Sequence, residues 1–204
     1  MSGRGKFITL EGVDGSGNST HSAFVENLVK RAGHPVLRTR EPGGTPLAEA
    51  LRGLVLESPM DGVCEVLLMF AARADHVRRV IRPALEAGTW VVCDRFTDAT
   101  MAYQGGGKGV QAALIRDLAD ATHRDLWPDL TLLFDCPFEV ASARLKAMGR
   151  TMDRFEREGR DFFERVREAY LEAAAAAPER IRLIDASKPV DEVKDMVEKS
   201  IITN

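Results

Sequence analysis

Gly12-Val13-Asp14-Gly15-Ser16-Gly17-Asn18-Ser19-Thr20 matches the phosphate-cradling pattern G-x-x-x-x-G-K-[ST] at every fixed position except the lysine, where Asn18 stands. In such a loop, glycines let backbone N–H groups turn inward around a polyphosphate. The Ser/Thr hydroxyl meets Mg²⁺, and the lysine places a point charge on the β/γ-phosphates. Asparagine donates hydrogen bonds but carries no charge. The sequence therefore supplies a phosphate frame, formed by Gly12, Gly15, Ser16, Gly17, Asn18, Ser19 and Thr20, whose main cation must come from elsewhere. Otherwise its chemistry is weakened.

The flanks give the loop its required setting. The apolar run Phe7-Ile8-Thr9-Leu10 precedes it, and Ala23, Val25, Leu28 and Val29 follow at helical spacing. The alternative is a glycine-rich turn between two core elements. Outward from here, short apolar runs at 7–11, 35–40, 90–94, 130–135 and 180–185 alternate with helical patterns. The helical patterns lie near 19–32, 46–57, 63–87, 111–124, 137–148, 158–177 and 189–202, the sixth ending in an alanine run before Pro178. This alternation predicts an α/β fold with a five-stranded parallel sheet covered by helices on both faces. No linker, repeat or low-complexity tract divides the chain, so one domain over 1–204 is expected.

Composition narrows the function classes. With 204 residues, 45% hydrophobic and 29% charged, the chain can bury a substantial core. A formal net charge of −3 argues against a nucleic-acid surface, so anionic ligands must be met by local arginines. Cys64, Cys93 and Cys136 show neither CxxC nor Cys/His metal spacing, and reduced buried thiols are expected. No apolar stretch approaches a membrane span and residues 2–6 are polar, so the expectation is a cytoplasmic protein without a membrane partner.

In open parallel sheets ligands gather beyond the carboxyl ends of the strands. The unusual residues fall there: the glycine loop after the first strand, Arg40-Glu41-Pro42-Gly43-Gly44-Thr45 after the second, Asp94-Arg95-Phe96 after the third, and Asp135 after the fourth. Singly, Asp135 could only cap a helix and Arg40–Glu41 could be a surface pair. Together, beside the loop, they describe a phosphoryl-transfer pocket.

With Met69–Arg73 (M-F-A-A-R), Ala102–Gly107 (A-Y-Q-G-G-G), Pro128–Asp135 (P-D-L-T-L-L-F-D) and Asp153–Glu156 (D-R-F-E) in order, the chain resembles the bacterial thymidylate kinases over nearly its full length. These are P-loop nucleoside monophosphate kinases that make dTDP from dTMP and ATP. The R-E-P-G-G-T and Y-Q-G-G-G segments are specific; D-R-F alone is weak. Phosphoryl transfer brings two polyanions together, so catalysis is mostly positioning and charge neutralisation. The resemblance implies Arg95 as a bridge between acceptor phosphate and transferred group, with Asp94 and Ser19 holding Mg²⁺. It also implies Asp14 on the deoxyribose 3′-hydroxyl with Glu41 nearby.

For the base, the family uses an aromatic ring and an arginine from one helix, the aromatic four residues earlier. Arg73 fits, but Met69 stands four before it and Phe70 three before; both spacings share a helix face, and Phe70 is the expected cover. By resemblance Gln104 pairs with the base edge, Thr100 assists, and Tyr103 crowds C2′. Arg52 approaches either the phosphate or the base. A lid at about 141–154 would close over ATP. In bacterial members whose loop lacks an arginine after the acidic residue, a lid arginine supplies charge. Here Gly15 follows Asp14, so Arg150 and Arg144 are the candidates and Lys146 a third; each also reads as a basic helix end. His21 reads as a polar residue of the helix's first turn. The resemblance further implies a homodimer. Two other readings stay open: a nucleotide-binding pseudokinase of the same fold, resting on Asn18, and a kinase for another pyrimidine deoxynucleoside monophosphate.

Overall fold

The computed structural model describes residues 3–149 and 153–202. Five parallel strands, β1 (Phe7–Gly12), β2 (Val36–Arg40), β3 (Trp90–Asp94), β4 (Leu130–Asp135) and β5 (Ile181–Asp185), lie in the order β2-β3-β1-β4-β5. β1 is central and buried along its whole length. Both faces of such a strand must be apolar or internally satisfied. Phe7, Ile8 and Leu10 pack in the core, while Thr9 bonds the Thr131 hydroxyl across the sheet at 2.8 Å.

The register fixes the functional rim. Leu10 pairs with Asp94, Arg40 with Asp94, and Gly12 with Phe134. The carboxyl ends of β2, β3 and β1 thus align, and the chain crosses from one side of β1 to the other at the point where the strand order reverses. That crevice is where ligands enter sheets of this kind.

Helices α1 (Asn18–Arg31), α2 (Pro46–Glu57), α3 (Gly62–His76), α4 (Arg82–Glu86), α5 (Thr97–Thr100), α6 (Ala112–His123), α7 (Phe138–Ala147), α8 (Arg160–Ala176) and α9 (Val190–Ile202) complete the described elements. Two regions differ from the sequence expectation. The single helix expected over 63–87 is interrupted by a π-helical stretch at Val77–Ile81. Pro83 lacks an N–H and would clash with the carbonyl four residues back. The ladder adjusts by widening, and Arg82 N–H donates to Val77 O, five residues back.

The second is 97–107, which lies outside the expected helical patterns. It forms α5 followed by a π-helical turn, Met101–Gly107. These glycines serve close packing: a Cβ on Gly106 would stand 2.5 Å from the Ala169 Cβ, and one on Gly107 2.5 Å from the Phe162 ring. Glycine lets α8 press against this turn, which carries Tyr103 and Gln104. Cys93 and Cys136 are buried as expected, Cys64 is only partly so, and all three are free. No helix among the described residues is long and apolar enough to cross a membrane.

Candidate active site

The phosphate loop leaves β1 at Gly12, whose φ of 146° and close approach to Phe134 O exclude a side chain. Gly17, in the left-handed region, opens α1. Gly15, Ser16, Gly17, Asn18, Ser19 and Thr20 line a polar cleft of about 900 Å³. Asn18 turns inward and donates from Nδ2 to Asp94 Oδ1 at 2.7 Å, while Ser19 Oγ donates to Asp94 Oδ2 at 2.5 Å. Both oxygens of Asp94 are thus held against the start of α1. In the lysine's position, Asn18 fixes a carboxylate but adds no charge.

A serine hydroxyl and one carboxylate in contact at a phosphate loop are hard oxygen donors. They fit Mg²⁺, which keeps waters and uses one or two protein carboxylates plus substrate phosphates. Among the described residues no cluster of three or more His, Cys, Asp or Glu forms an all-protein metal cage.

Arg95 is the single non-glycine residue with positive φ among the described residues, at 71°. Such a backbone persists only where its surroundings over-determine it. Its N–H donates to Leu10 O at 2.9 Å, its Nη2 to Asp14 Oδ1 at 2.6 Å, and its guanidinium lies 4.6 Å above the Tyr103 ring. Tyr103 in turn donates its hydroxyl to Asp14 Oδ2 and accepts from the Asp14 N–H, both at 2.9 Å. Burial pushes the Asp14 carboxyl above the usual carboxylate range, a rise that Arg95 limits.

Beyond Arg95 lies a second, tighter cavity of about 90 Å³, lined among others by Met69, Arg73, Phe96, Thr100 and Gln104. Arg73 donates from Nε to Glu41 Oε2 at 2.6 Å and from Nη2 to Thr100 Oγ1 at 3.0 Å and Phe96 O at 3.2 Å. Its buried Nη1 has no protein partner. An unpaired buried guanidinium nitrogen is costly. His76 Nδ1 meets the other Glu41 oxygen at 3.0 Å, and its Nε2 meets the Thr39 hydroxyl at 2.8 Å. Burial acts upward on the Glu41 carboxyl, but Arg73 and then His76 outweigh it and hold it below its ordinary range.

Of the two side chains considered for the base, Met69 lines this cavity. The expectation for Phe70 is corrected: its ring is 2% exposed, packs with Val66, Ile115 and Ala119, and carries the Arg73 guanidinium 4.6 Å over its face. The three-residue spacing does bring ring and arginine together, but the ring does not line the cavity. Arg52 lines both cavities and donates to Pro42 O at 3.0 Å.

Arg144 donates to Ser16 O at 3.2 Å, Gly15 O at 3.5 Å and Ala186 O at 2.8 Å, so its charge sits against the loop's own backbone. Lys146 lines a separate, largely apolar cavity beside α8, and Arg150 lies outside the described residues. His21 is buried; its ring stacks on Phe134, with centroids 5.1 Å apart, and its Nδ1 donates to Gly17 O at 2.9 Å. Sequence reading missed Phe96 and Glu65. Phe96 follows Arg95 directly; Glu65 lies one turn before Met69 and two before Arg73, on the same stripe of α3, and that i, i+4, i+8 spacing was a signal available in the sequence.

A parallel sheet in this order, with a phosphate loop at its switch point and a second small pocket across one arginine, defines the P-loop nucleoside monophosphate kinase class. A family model described as Thymidylate kinase matches residues 10–197. Thymidylate kinase of Bordetella pertussis is 55% identical over 201 residues, 98% of this chain and 96% of that one. That of Methylobacillus flagellatus is 54% identical over 194 residues, 95% of each. The crystal structure of thymidylate kinase from Ehrlichia chaffeensis superposes with a TM-score of 0.79 at 34% identity, covering 98% of this chain and 99% of that one. The chain belongs to the thymidylate kinase family.

Proposed function

We propose that the protein transfers the γ-phosphoryl group of ATP to dTMP, giving dTDP and ADP, as one unit over 1–204 with a lid at about 141–154. The observation that carries this reading is Arg95, which lines both cavities and is held there by Asp14, Leu10 O and the Tyr103 ring. A cation fixed between a polyphosphate loop and a nucleotide pocket can neutralise charge on acceptor and transferred phosphoryl together.

In this reading the loop from Gly12 to Thr20 cradles the ATP phosphates, and Arg144 braces that loop and adds positive potential beside it. Ser19 and Asp94 hold Mg²⁺, which when bound neutralises β/γ-phosphate charge. Asp14 receives the 3′-hydroxyl, with Glu41 fixing Arg73 behind it. Tyr103 closes the sugar's 2′ side, Arg52 faces the acceptor phosphate, and Thr100, Arg73 and Gln104 line the base. Asn18 lowers the rate without removing the frame, since the remaining charged groups stand in place.

A homodimer formed through α2 and α3 is part of the proposal. It is supported by Leu47, Leu54, Val63 and Leu67, large apolar side chains about half exposed on those two helices. A cytoplasmic site of action, the compartment of the nucleotide pools, completes it. The deciding experiment is ADP formation from Mg·ATP with and without dTMP: dTMP-dependent ADP is expected. Tight dTMP binding with no turnover even for Asn18→Lys would replace the kinase by a nucleotide-binding protein.

A further inference from the structure

Glu65, on the first turn of α3, has no solvent exposure, yet three side chains from distant segments converge on it. Lys108 Nζ donates to Oε1 at 2.5 Å, Arg154 Nη1 stands 2.6 Å from the same oxygen, and Gln104 Nε2 donates to Oε2 at 2.9 Å. Arg154 is itself anchored, its Nε donating to Val55 O at 2.6 Å. A burial of this kind costs several kcal/mol per ion before pairing, far more than a solvent-facing lysine pair would need to hold Lys108 in place. The arrangement calls for a role beyond stability.

The role follows from hydrogen-bond polarity. A carboxylate paired with an ammonium and a guanidinium only accepts, so the Gln104 amide must turn its NH₂ to Glu65. Its carbonyl end then points the other way. No donor among the described residues meets Gln104 Oε1, and Oε1 is not among the partnerless atoms sealed in the interior. Gln104 lines the small cavity together with Arg73. With its NH₂ held by Glu65, Gln104 offers the cavity an acceptor in fixed orientation.

Resting on the function proposed above, we infer that Glu65 is a positioning residue: it locks the Gln104 amide so that the pocket accepts a pyrimidine with a ring N–H beside a carbonyl and rejects one with a bare ring nitrogen beside an amine. Thymine and uracil have the first pattern and cytosine the second. Cytosine N3 would set a second acceptor against the Gln104 carbonyl, leaving both without a donor in a buried site.

Glu65→Gln makes the inference testable. Lys108 and Arg154 keep the new amide's oxygen, so its NH₂ faces Gln104, which must flip and turn its own NH₂ toward the base. Calorimetric titration of wild type and E65Q with dTMP and dCMP reads binding without requiring turnover. The dTMP dissociation constant is expected to rise roughly ten- to a hundredfold, with the dTMP-to-dCMP preference narrowing by at least about tenfold. Equal weakening of both nucleotides, or no change, overturns the lock while leaving the kinase reading intact. A wild-type protein that binds neither nucleotide overturns both. Should E65Q not fold, the ¹⁵N side-chain amide signals of Gln104 in the free wild-type protein decide: slow hydrogen exchange supports the lock, and fast exchange overturns it.

Discussion

The two ends of the active site are built on opposite plans. The donor end is a wide polar cleft of about 900 Å³ in which the protein's own charge is reduced by Asn18, and the Asp94 carboxylate is satisfied by neutral partners. The acceptor end is a cavity of about 90 Å³ beside which charged and polar groups are buried and mutually fixed: Arg73 and His76 on Glu41, and Gln104 on Glu65. A donor nucleotide carries a polyphosphate whose charge can organise groups around it, so its site can remain open until the ligand arrives. A base offers only a few hydrogen bonds and must be recognised by groups already in place. Affinity at the acceptor end should therefore be set by preorganisation, and rate at the donor end by charge.

The largest expected effect attacks the preorganised end. Arg73→Met strands the buried Glu41 carboxylate, and removing one partner of such a pair costs about 3–5 kcal/mol. Chemical denaturation should show that loss and calorimetry the disappearance of dTMP binding; a stable variant with intact binding would break the contrast. The next addresses the charge-poor end. Asn18→Lys should raise the dTMP-dependent rate by roughly 10²–10³-fold, the scale of one preorganised charge-stabilising donor, with the dTMP KM little changed. A gain below about tenfold would mean that Arg95 and Arg144 already supply the missing field.

A smaller effect sits beneath both ends. Glu11, wholly buried, accepts from the Phe96 N–H at 2.7 Å and the Tyr170 hydroxyl at 2.8 Å, and burial followed by the nearby Asp98 carboxylate raises its pKa from 4.5 to about 8. The folded protein holds this proton more tightly than the unfolded chain. Its stabilising contribution is thus complete below pH 4.5 and is lost as pH rises through about 8. Glu11→Gln, neutral in both states, should flatten the fall in thermal stability across that window, a slope of at most about 1.4 kcal/mol per pH unit. An unchanged slope in the variant would mean that the decline belongs to other groups.

Much of this was legible in the sequence because strand and helix periods differ: β1, the loop and α1 stand where the apolar pattern puts them, and so do the other four strands. What was hidden depends on orientation or on distance along the chain. Choosing between Met69 and Phe70 requires knowing how α3 is rotated on its neighbours, since adjacent residues differ by about 100°. Spacing places Glu65 on one stripe of α3 with Met69 and Arg73, but its partners lie 39, 43 and more positions away, where local spacing cannot name them. The helical turn at 101–107 was not marked by any periodic apolar pattern, and its glycines admit α8 at close range. Arg95 was legible as a residue type; its left-handed backbone was not.

That backbone has a consequence for what a substitution at the position can gain. A non-glycine residue at φ 71° carries strain of about 1–3 kcal/mol, which glycine would relieve while deleting the guanidinium. The Asp14 pair and the Tyr103 ring contact would be lost with it, and stranding a partly buried carboxylate offsets what the backbone regains. Position 95 is a place where the contacts of the working side chain hold its own backbone in a form it would not otherwise keep.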